Sequence, residues 1–192
     1  MKPLSKLLCY PTSAIRAALL GRLIANYLPN RATVLDIGCG NMLLAKDLVR
    51  RKKITVQGVD VLDMNLTHLP HQLFDGQHLP FPDKSFDVSL LIGVLHHAHN
   101  QEALLQEAKR VAKATVIVFE DIYDTTWQKS WVRIRDVLGN VLEEPKMNFA
   151  LTFHSDQEWE EIFRSHQLLV NKKRLLWNLP KLTKHALYVL KP

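Results

Sequence analysis

The chain has 192 residues, with 25 Lys+Arg against 19 Asp+Glu and a formal net charge of +6. Hydrophobic residues make up 47% and charged residues 23%, the balance of a folded globular chain, so wholesale disorder is excluded. Cys9 and Cys39 are too few for a disulfide framework, and no apolar run reaches the roughly 18–20 residues that a membrane-crossing helix needs.

The length suits one domain, and the cysteine usage suits a reducing, cytoplasmic setting. The excess of base permits an anionic partner, such as RNA or an acidic lipid surface, without demanding one. Met1 to Leu20 sets Lys2 and Lys6 ahead of apolar residues, the order of a signal peptide. Pro11 and Arg16 interrupt the run and no small-residue cleavage pattern follows, so the segment is read as part of the mature protein.

Ser13–Leu28 suits a first helix, with Leu20, Leu23, Ile24 and Tyr27 on one face and Pro29 ending it. Ala32–Ile37 reads as a short buried strand. Asn41–Arg51 reads as a helix with Leu44, Ala45 and Leu48 inward, and Ile54–Val59 as a second strand. A loop-rich stretch with Pro70, Pro80 and Pro82 follows, with a short strand near His71–Phe74. Phe86–Leu91 is a strand and Gln101–Ala112 a helix whose inward face is Leu104, Leu105, Ala108 and Val111. Ala114–Phe119 is a continuous apolar strand of the kind buried on both faces. Thr125–Leu138 reads as a helix. Ser155–His166 is another, its start marked by Ser155 and Glu158 as a capping box. Leu168–Trp177 and His185–Leu190 read as strands that pair antiparallel through a turn near Asn178–Pro180. Strands and helices alternate, which predicts an α/β fold with helices on both faces of a doubly wound sheet.

The chemistry gathers at two strand ends. In V34-L35-D36-I37-G38-C39-G40 a strand ends in a carboxylate and passes through a Gly-x-Gly turn into a helix. The glycines permit a sharp turn and a close approach by a ligand, and the helix start offers unpaired N–H groups. In G58-V59-D60-V61 an acid sits at the tip of the next strand, 20 residues beyond Gly40, where nucleotide-binding α/β folds hold ribose hydroxyls. The NAD fingerprint G-x-G-x-x-G fails, because its last position is Leu43. A carboxylate at Asp36, against the ligand, suits a cationic group such as an amino acid's ammonium. S-adenosylmethionine has both that group and a ribose.

The segment F74-D75-G76-Q77-H78-L79-P80-F81-P82-D83-K84-S85-F86-D87-V88, followed by V94-L95-H96-H97, resembles a class I S-adenosylmethionine-dependent methyltransferase, closest to the small-molecule branch with the ubiquinone and menaquinone methyltransferases. The resemblance runs from about Val34 to Glu120. It implies a Rossmann-like, seven-stranded, mostly parallel sheet with an antiparallel last strand. The expected layout is a helical cap over residues 1–30, which either closes the pocket or finishes the core, and a cofactor-binding domain over 31–192, with a substrate-facing insertion at about 121–153 that follows the fifth strand, at the edge where ligands bind in this fold.

By position, the resemblance implies that Asp36 holds the methionine ammonium and that Gly38, Cys39 and Gly40 line the methionine and ribose. Asp60 would take the ribose hydroxyls, with Val61 beside the adenine. Asp75 would bond the adenine amino group, with Gly76 and Gln77 alongside. Ile92 and Gly93 would touch the methionine end, and His96 and His97 would lie near the methyl group. Met42 departs from the family, which has a small residue there; its side chain either crowds the methionine tail or points into the protein.

Methyl transfer needs a base only when the acceptor is a protonated hydroxyl, amine or acidic carbon, and a neutral imidazole suits that work. His97 is the choice, with His96, Asp121 and Tyr123 as other candidates; the alternative for a histidine here is a loop or helix cap. A metal at His96, His97 and His99 is weighed and not expected, since the spacing matches no usual pattern. Trp127, Trp131, Ile134 and Leu138 share a helical stripe, read first as packing against the sheet and otherwise as an apolar lid over the acceptor. Arg50–Lys53 and Lys172–Arg174 are read as solvated surface. The expected function is methyl transfer from S-adenosylmethionine to a small, apolar or aromatic acceptor. The alternatives are an RNA methyltransferase and a catalytically silent binding or scaffold protein. Against common base-methylating chemistries, I92-G93-V94-L95 replaces an Asn/Asp-Pro-Pro-aromatic motif, and neither cysteine sits where a cytosine-C5 nucleophile belongs.

Overall fold

Runs of Val, Ile and Leu bounded by glycine and polar turns become the middle of one sheet. The structure, a computed structural model, describes residues 4–143, 150–177 and 183–192. In chain order it contains α1 (Leu4–Ile24), β1 (Thr33–Ile37), α2 (Leu43–Arg51), β2 (Thr55–Asp60), β3 (His71–Leu73) and β4 (Phe86–Ile92). Then come α3 (Gln101–Val111), β5 (Ala112–Ile122), α4 (Thr126–Glu143), α5 (Asp156–Ser165), β6 (Leu169–Trp177) and β7 (Lys184–Lys191).

The strand order is β3-β2-β1-β4-β5-β7-β6. β7 runs antiparallel to both β5 and β6, and the other neighbours are parallel. The fold is therefore the expected seven-stranded sheet with a reversed last strand. The turn expected near Asn178–Pro180 lies outside the described residues. Two apolar clusters cover the two faces. One joins α3 and α5 through Leu104, Leu105, Ala108, Trp159 and Phe163; the other joins α1 and α2 through Ile24, Ala45 and Leu48. The capping box at Ser155 and Glu158 is formed, with both reciprocal bonds in place.

The chain leaves β1 toward β2 on one side and returns to β4 on the other. In such sheets the gap at the carboxyl ends of these strands is where ligands bind. Asp36 lies there, opposite Gly58 on β2 and Leu90 on β4.

Three expectations change. The first helix, expected over Ser13–Leu28, begins at Leu4 and ends at Ile24, with a 3-10 turn over Ala25–Tyr27 carrying the chain on to Leu28. β5 continues past Phe119 to Ile122 and carries Glu120 and Asp121, both buried, inside the sheet. The stripe on α4 does not pack on the sheet: Trp127, Trp131, Ile134 and Leu138 are all exposed, and Val132 is the inward contact. One turn spacing from Val132 brings Arg135 and Asp136 to the same inner face.

Candidate functional site

The carboxyl ends of β1, β2 and β4 open into a cavity of about 540 Å³. Four loops build it. The end of β1 and the turn after it give Asp36, Gly38, Cys39 and Gly40. The tip of β2 gives Asp60 and Val61. The loop after β3 gives Asp75, Gly76 and Gln77, and the end of β4 gives Ile92 and Gly93. His97 also lines it, and α1 covers one side with Arg16, Ala17 and Leu20. Every residue assigned to the cofactor from the sequence thus borders one space.

The turn after β1 is held by β2. The N–H groups of Gly38 and Cys39 both donate to the Val59 carbonyl, at 2.8 and 3.1 Å. Gly38 has φ +68°, and a Cβ there would lie 2.2 Å from Val94 Cγ2, so only glycine fits. The Asp60 carboxylate accepts from the Gly40 N–H at 2.7 Å and from the Leu62 N–H at 3.1 Å. Asp75 accepts from the N–H groups of Gln77 and His78, at 2.7 Å each, and these bonds hold its carboxyl down at about 2.

Asp36 stands apart. It is 3% exposed, and no hydrogen bond or ion pair reaches its carboxyl group from the described residues. Burial, with a smaller push from the Asp60 charge, raises its carboxyl from 3.8 to about 7. A buried acid with no partner, facing a cavity, is a seat for a cation. The same burial, with Asp36 and Asp60 nearby, pushes the Cys39 thiol up, so Cys39 is a wall and not a nucleophile.

Met42, at φ +61° before α2, is fully buried and does not border the cavity. Its Sδ lies 2.4 Å from where a Cβ on Gly58 would sit, so it packs over the glycine of β2. Of the two orientations open from the sequence, the side chain takes the one into the protein.

On the far side of Gly93 and His97 lies a second cavity of about 1030 Å³, between α1, α4 and the β6–β7 end of the sheet. Arg16, Leu20, Gly93 and His97 border both spaces. Behind this junction Glu120, wholly buried, accepts from the N–H groups of Val94 and Leu95 at 3.0 and 2.8 Å, and its other oxygen meets His96 Nδ1. Burial alone would lower the His96 pKa, but the charges of Glu120 and Asp136 raise it. His96 is therefore a cation fixed in the wall, which removes it as a base. That positive charge, after burial, is the second cause that lowers His97 to about 4. His97 is a neutral imidazole above that pH, with its Nε2 3.6 Å from Asp136 Oδ2.

The other candidate bases fall away. Asp121 is clamped by Arg135 and His185, each at 2.5 Å; these partners outweigh burial and hold it at about 2. Tyr123 is bonded to Glu158 and Lys129 at 2.9 and 3.1 Å and borders neither cavity. The histidine group weighed for a metal is not the one that forms: His96, His97 and Asp136, without His99, bring one donor atom each within 4.8 Å. Glu120, Asp136 and Arg16 were missed from the sequence. For Glu120 the signal was an acid pair ending an unbroken apolar strand; for Asp136 and Arg16 no local pattern marks them.

Residues 35–119 match the family described as a methyltransferase domain. The chain is 29% identical over 105 residues to the 27-O-demethylrifamycin SV methyltransferase of Amycolatopsis mediterranei (strain S699), covering 47% of this chain and 39% of that protein. It is 33% identical over 90 residues to the tRNA (carboxymethyluridine(34)-5-O)-methyltransferase of Schizosaccharomyces pombe, covering 46% of this chain and 40% of that protein. The chain spans about two fifths of the length of these curated relatives. A solved geranyl diphosphate methyltransferase in complex with GPP and sinefungin matches its fold with a TM-score of 0.71 at 11% identity, over 91% of this chain and 77% of that chain.

Proposed function

We propose that the chain carries a class I S-adenosylmethionine-dependent methyltransferase domain and transfers a methyl group from S-adenosylmethionine, bound in the first cavity, to a small, apolar or aromatic acceptor in the second. The observation that carries this reading is Asp36, a buried carboxylate with no partner among the described residues, raised to about 7 beside a second carboxylate at Asp60. A ligand with a cation at one end and a diol near the other satisfies both. When bound, S-adenosylmethionine would supply an activated methyl on sulfur, open to an acceptor's lone pair, with the S–C bonding pair left on sulfur.

The chain's residues have three tasks. Asp36 pairs with the ammonium, and Asp60, whose oxygens keep lone pairs beyond the two N–H groups they accept, takes the ribose hydroxyls. Asp75, Gly76 and Gln77 flank the adenine, and Gly93 leaves the passage between the cavities open. The α1 segment, within the cap expected over residues 1–30, closes one side, and such positioning supplies roughly 7–11 kcal/mol of barrier lowering. His97, kept neutral by burial and by His96, takes the proton of a hydroxyl, amine or acidic carbon acceptor. Glu120, His96 and Asp136 position it.

Calorimetric titration with S-adenosylhomocysteine tests this reading, with one binding site expected. No heat and no thermal shift at millimolar ligand would sink it and favour the silent scaffold. An RNA acceptor is the second reading, supported by the tRNA-modifying relative and the net charge of +6. It predicts RNA binding that weakens steeply with salt.

A further inference from the structure

The second cavity holds more positive charge than its carboxylates use. Four arginines border it, Arg16 and Arg22 on α1, Arg135 on α4 and Arg174 on β6, against Asp121 and Asp136. Both carboxylates are occupied. Asp121 holds Arg135 and His185, each at 2.5 Å. Asp136 lies 3.4 Å from His96 Nε2 and 3.6 Å from His97 Nε2. Arg16, Arg22 and Arg174 have no side-chain hydrogen bond or ion pair among the described residues. Arg16 reaches the junction itself: one of its terminal nitrogens lies 3.5 Å from where a Cβ on Gly93 would sit. Between these cations the wall is apolar, with Leu19 and Leu23 from α1 and Leu176 and Trp177 from β6. Arg174 and Leu176 share one face of their strand, so cation and apolar wall alternate on a single surface.

We propose that the acceptor is an apolar or aromatic small molecule with an anionic group, a carboxylate or a phosphate, which Arg16, Arg22 and Arg174 hold while its reacting atom lies at Gly93 and His97. The space has the size and lining of a small-molecule site, concave and apolar with a few convergent charges, and not of a flat polar surface. Guanidiniums grip either oxyanion with paired, charge-assisted hydrogen bonds. The proposal rests on the methyl-transfer reading for its chemistry, but its charge preference is measurable without the cofactor.

The test is calorimetry at low salt with three probes that share a phenyl group: phenyl phosphate, 3-phenylpropionate and the neutral 3-phenylpropanol. Each is titrated with and without S-adenosylhomocysteine. The anions are expected to bind at least about tenfold tighter than the alcohol, and comparison of the two anions separates phosphate from carboxylate. In the Arg22→Gln/Arg174→Gln double variant the preference should disappear, with the alcohol and S-adenosylhomocysteine bound as before. Equal affinity for anions and alcohol overturns the proposal, as does a preference that the double variant keeps. Displacement of phenyl phosphate by micromolar pentauridylate, lost in the double variant, assigns these arginines to RNA and overturns it too. If S-adenosylhomocysteine fails to bind while the anion preference stands, the methyl-transfer reading falls and the oxyanion site remains.

Discussion

Two cavities share the junction at Gly93 and His97 and have opposite electrostatic character. Asp36, Asp60 and Asp75 line the first, with Arg16 at its edge; four arginines, Arg16 among them, line the second against Asp121 and Asp136, whose charges are engaged. The same sheet edge builds both, so the difference comes from what covers it. Strand tips and their turns supply the acids; α1, α4 and β6 supply the bases. A cationic reagent and an anionic one are thereby drawn to opposite sides of one passage, and each is repelled from the other's place. The division predicts that charge changes in the acidic cavity act on the cofactor, while those in the basic cavity act on the acceptor.

The largest effect is expected at Asp36. Asp36→Asn keeps the shape and removes the charge, so S-adenosylhomocysteine affinity should fall about 100-fold, near the top of the range for a charged hydrogen bond. The same variant should be more stable without cofactor. The folded protein holds the Asp36 proton up to about 7, whereas the unfolded chain releases it near 3.8. Between those values the folded state binds more protons, so wild-type stability falls as pH rises, and the penalty is complete above 7. Asn escapes it, with a ceiling of about 4 kcal/mol at pH 8 and no gain below pH 4. Thermal unfolding at pH 4 and pH 8 measures this; a variant less stable at pH 8 would mean that Asp36 has an internal partner.

Asp60→Ala comes next. It removes the acceptor of the Gly40 and Leu62 N–H groups as well as that of the ribose, and about a 30-fold loss of S-adenosylhomocysteine affinity is expected. Unchanged affinity would remove the ribose assignment. Wild-type cofactor affinity should also follow the ionisation of Asp36. It should be level above about pH 7 and fall by up to about tenfold per unit below it, since the ammonium pairs only with the carboxylate. Titrations at pH 5.5, 6.5 and 8 check this, and a flat profile would place the ammonium elsewhere.

How far the sequence led follows the same division. The acidic cavity is made by residues that act where the chain turns: a strand end, a Gly-x-Gly turn, an acid at the next tip. Such features are local in sequence, so Asp36, Gly38, Gly40 and Asp60 could be marked from spacing alone. Asp75, Ile92 and Gly93 needed the family resemblance, because loops after β3 and β4 carry no pattern of their own. The basic cavity is made by residues far apart in the chain, such as Arg16 and Arg174, and only the packing of α1 against the sheet end joins them. Glu120 was hidden for another reason. Its role comes from bonds to backbone at Val94 and Leu95 and to His96, 24 to 26 residues away. The α4 stripe misled because periodicity finds an apolar face without saying whether the core or solvent receives it.

The smallest effect is expected at Met42, and it tests where the acidic cavity ends. Its thioether packs on Gly58, behind the turn that faces the cofactor. Met42→Leu conserves volume, so the cost in stability should stay below about 1.5 kcal/mol. S-adenosylhomocysteine affinity should not change. Gly58→Ala should be far worse, because its Cβ would meet Sδ at 2.4 Å and Cys39 Sγ at 2.8 Å. Pairing it with Met42→Ala should recover part of the loss, since the new methyl then fills vacated space. Denaturant unfolding of the four proteins in that cycle gives the coupling between the two positions. Additive costs would show that the thioether does not rest on the glycine. A tenfold drop in cofactor affinity in Met42→Leu would place the side chain in the ligand's space and move the cavity wall.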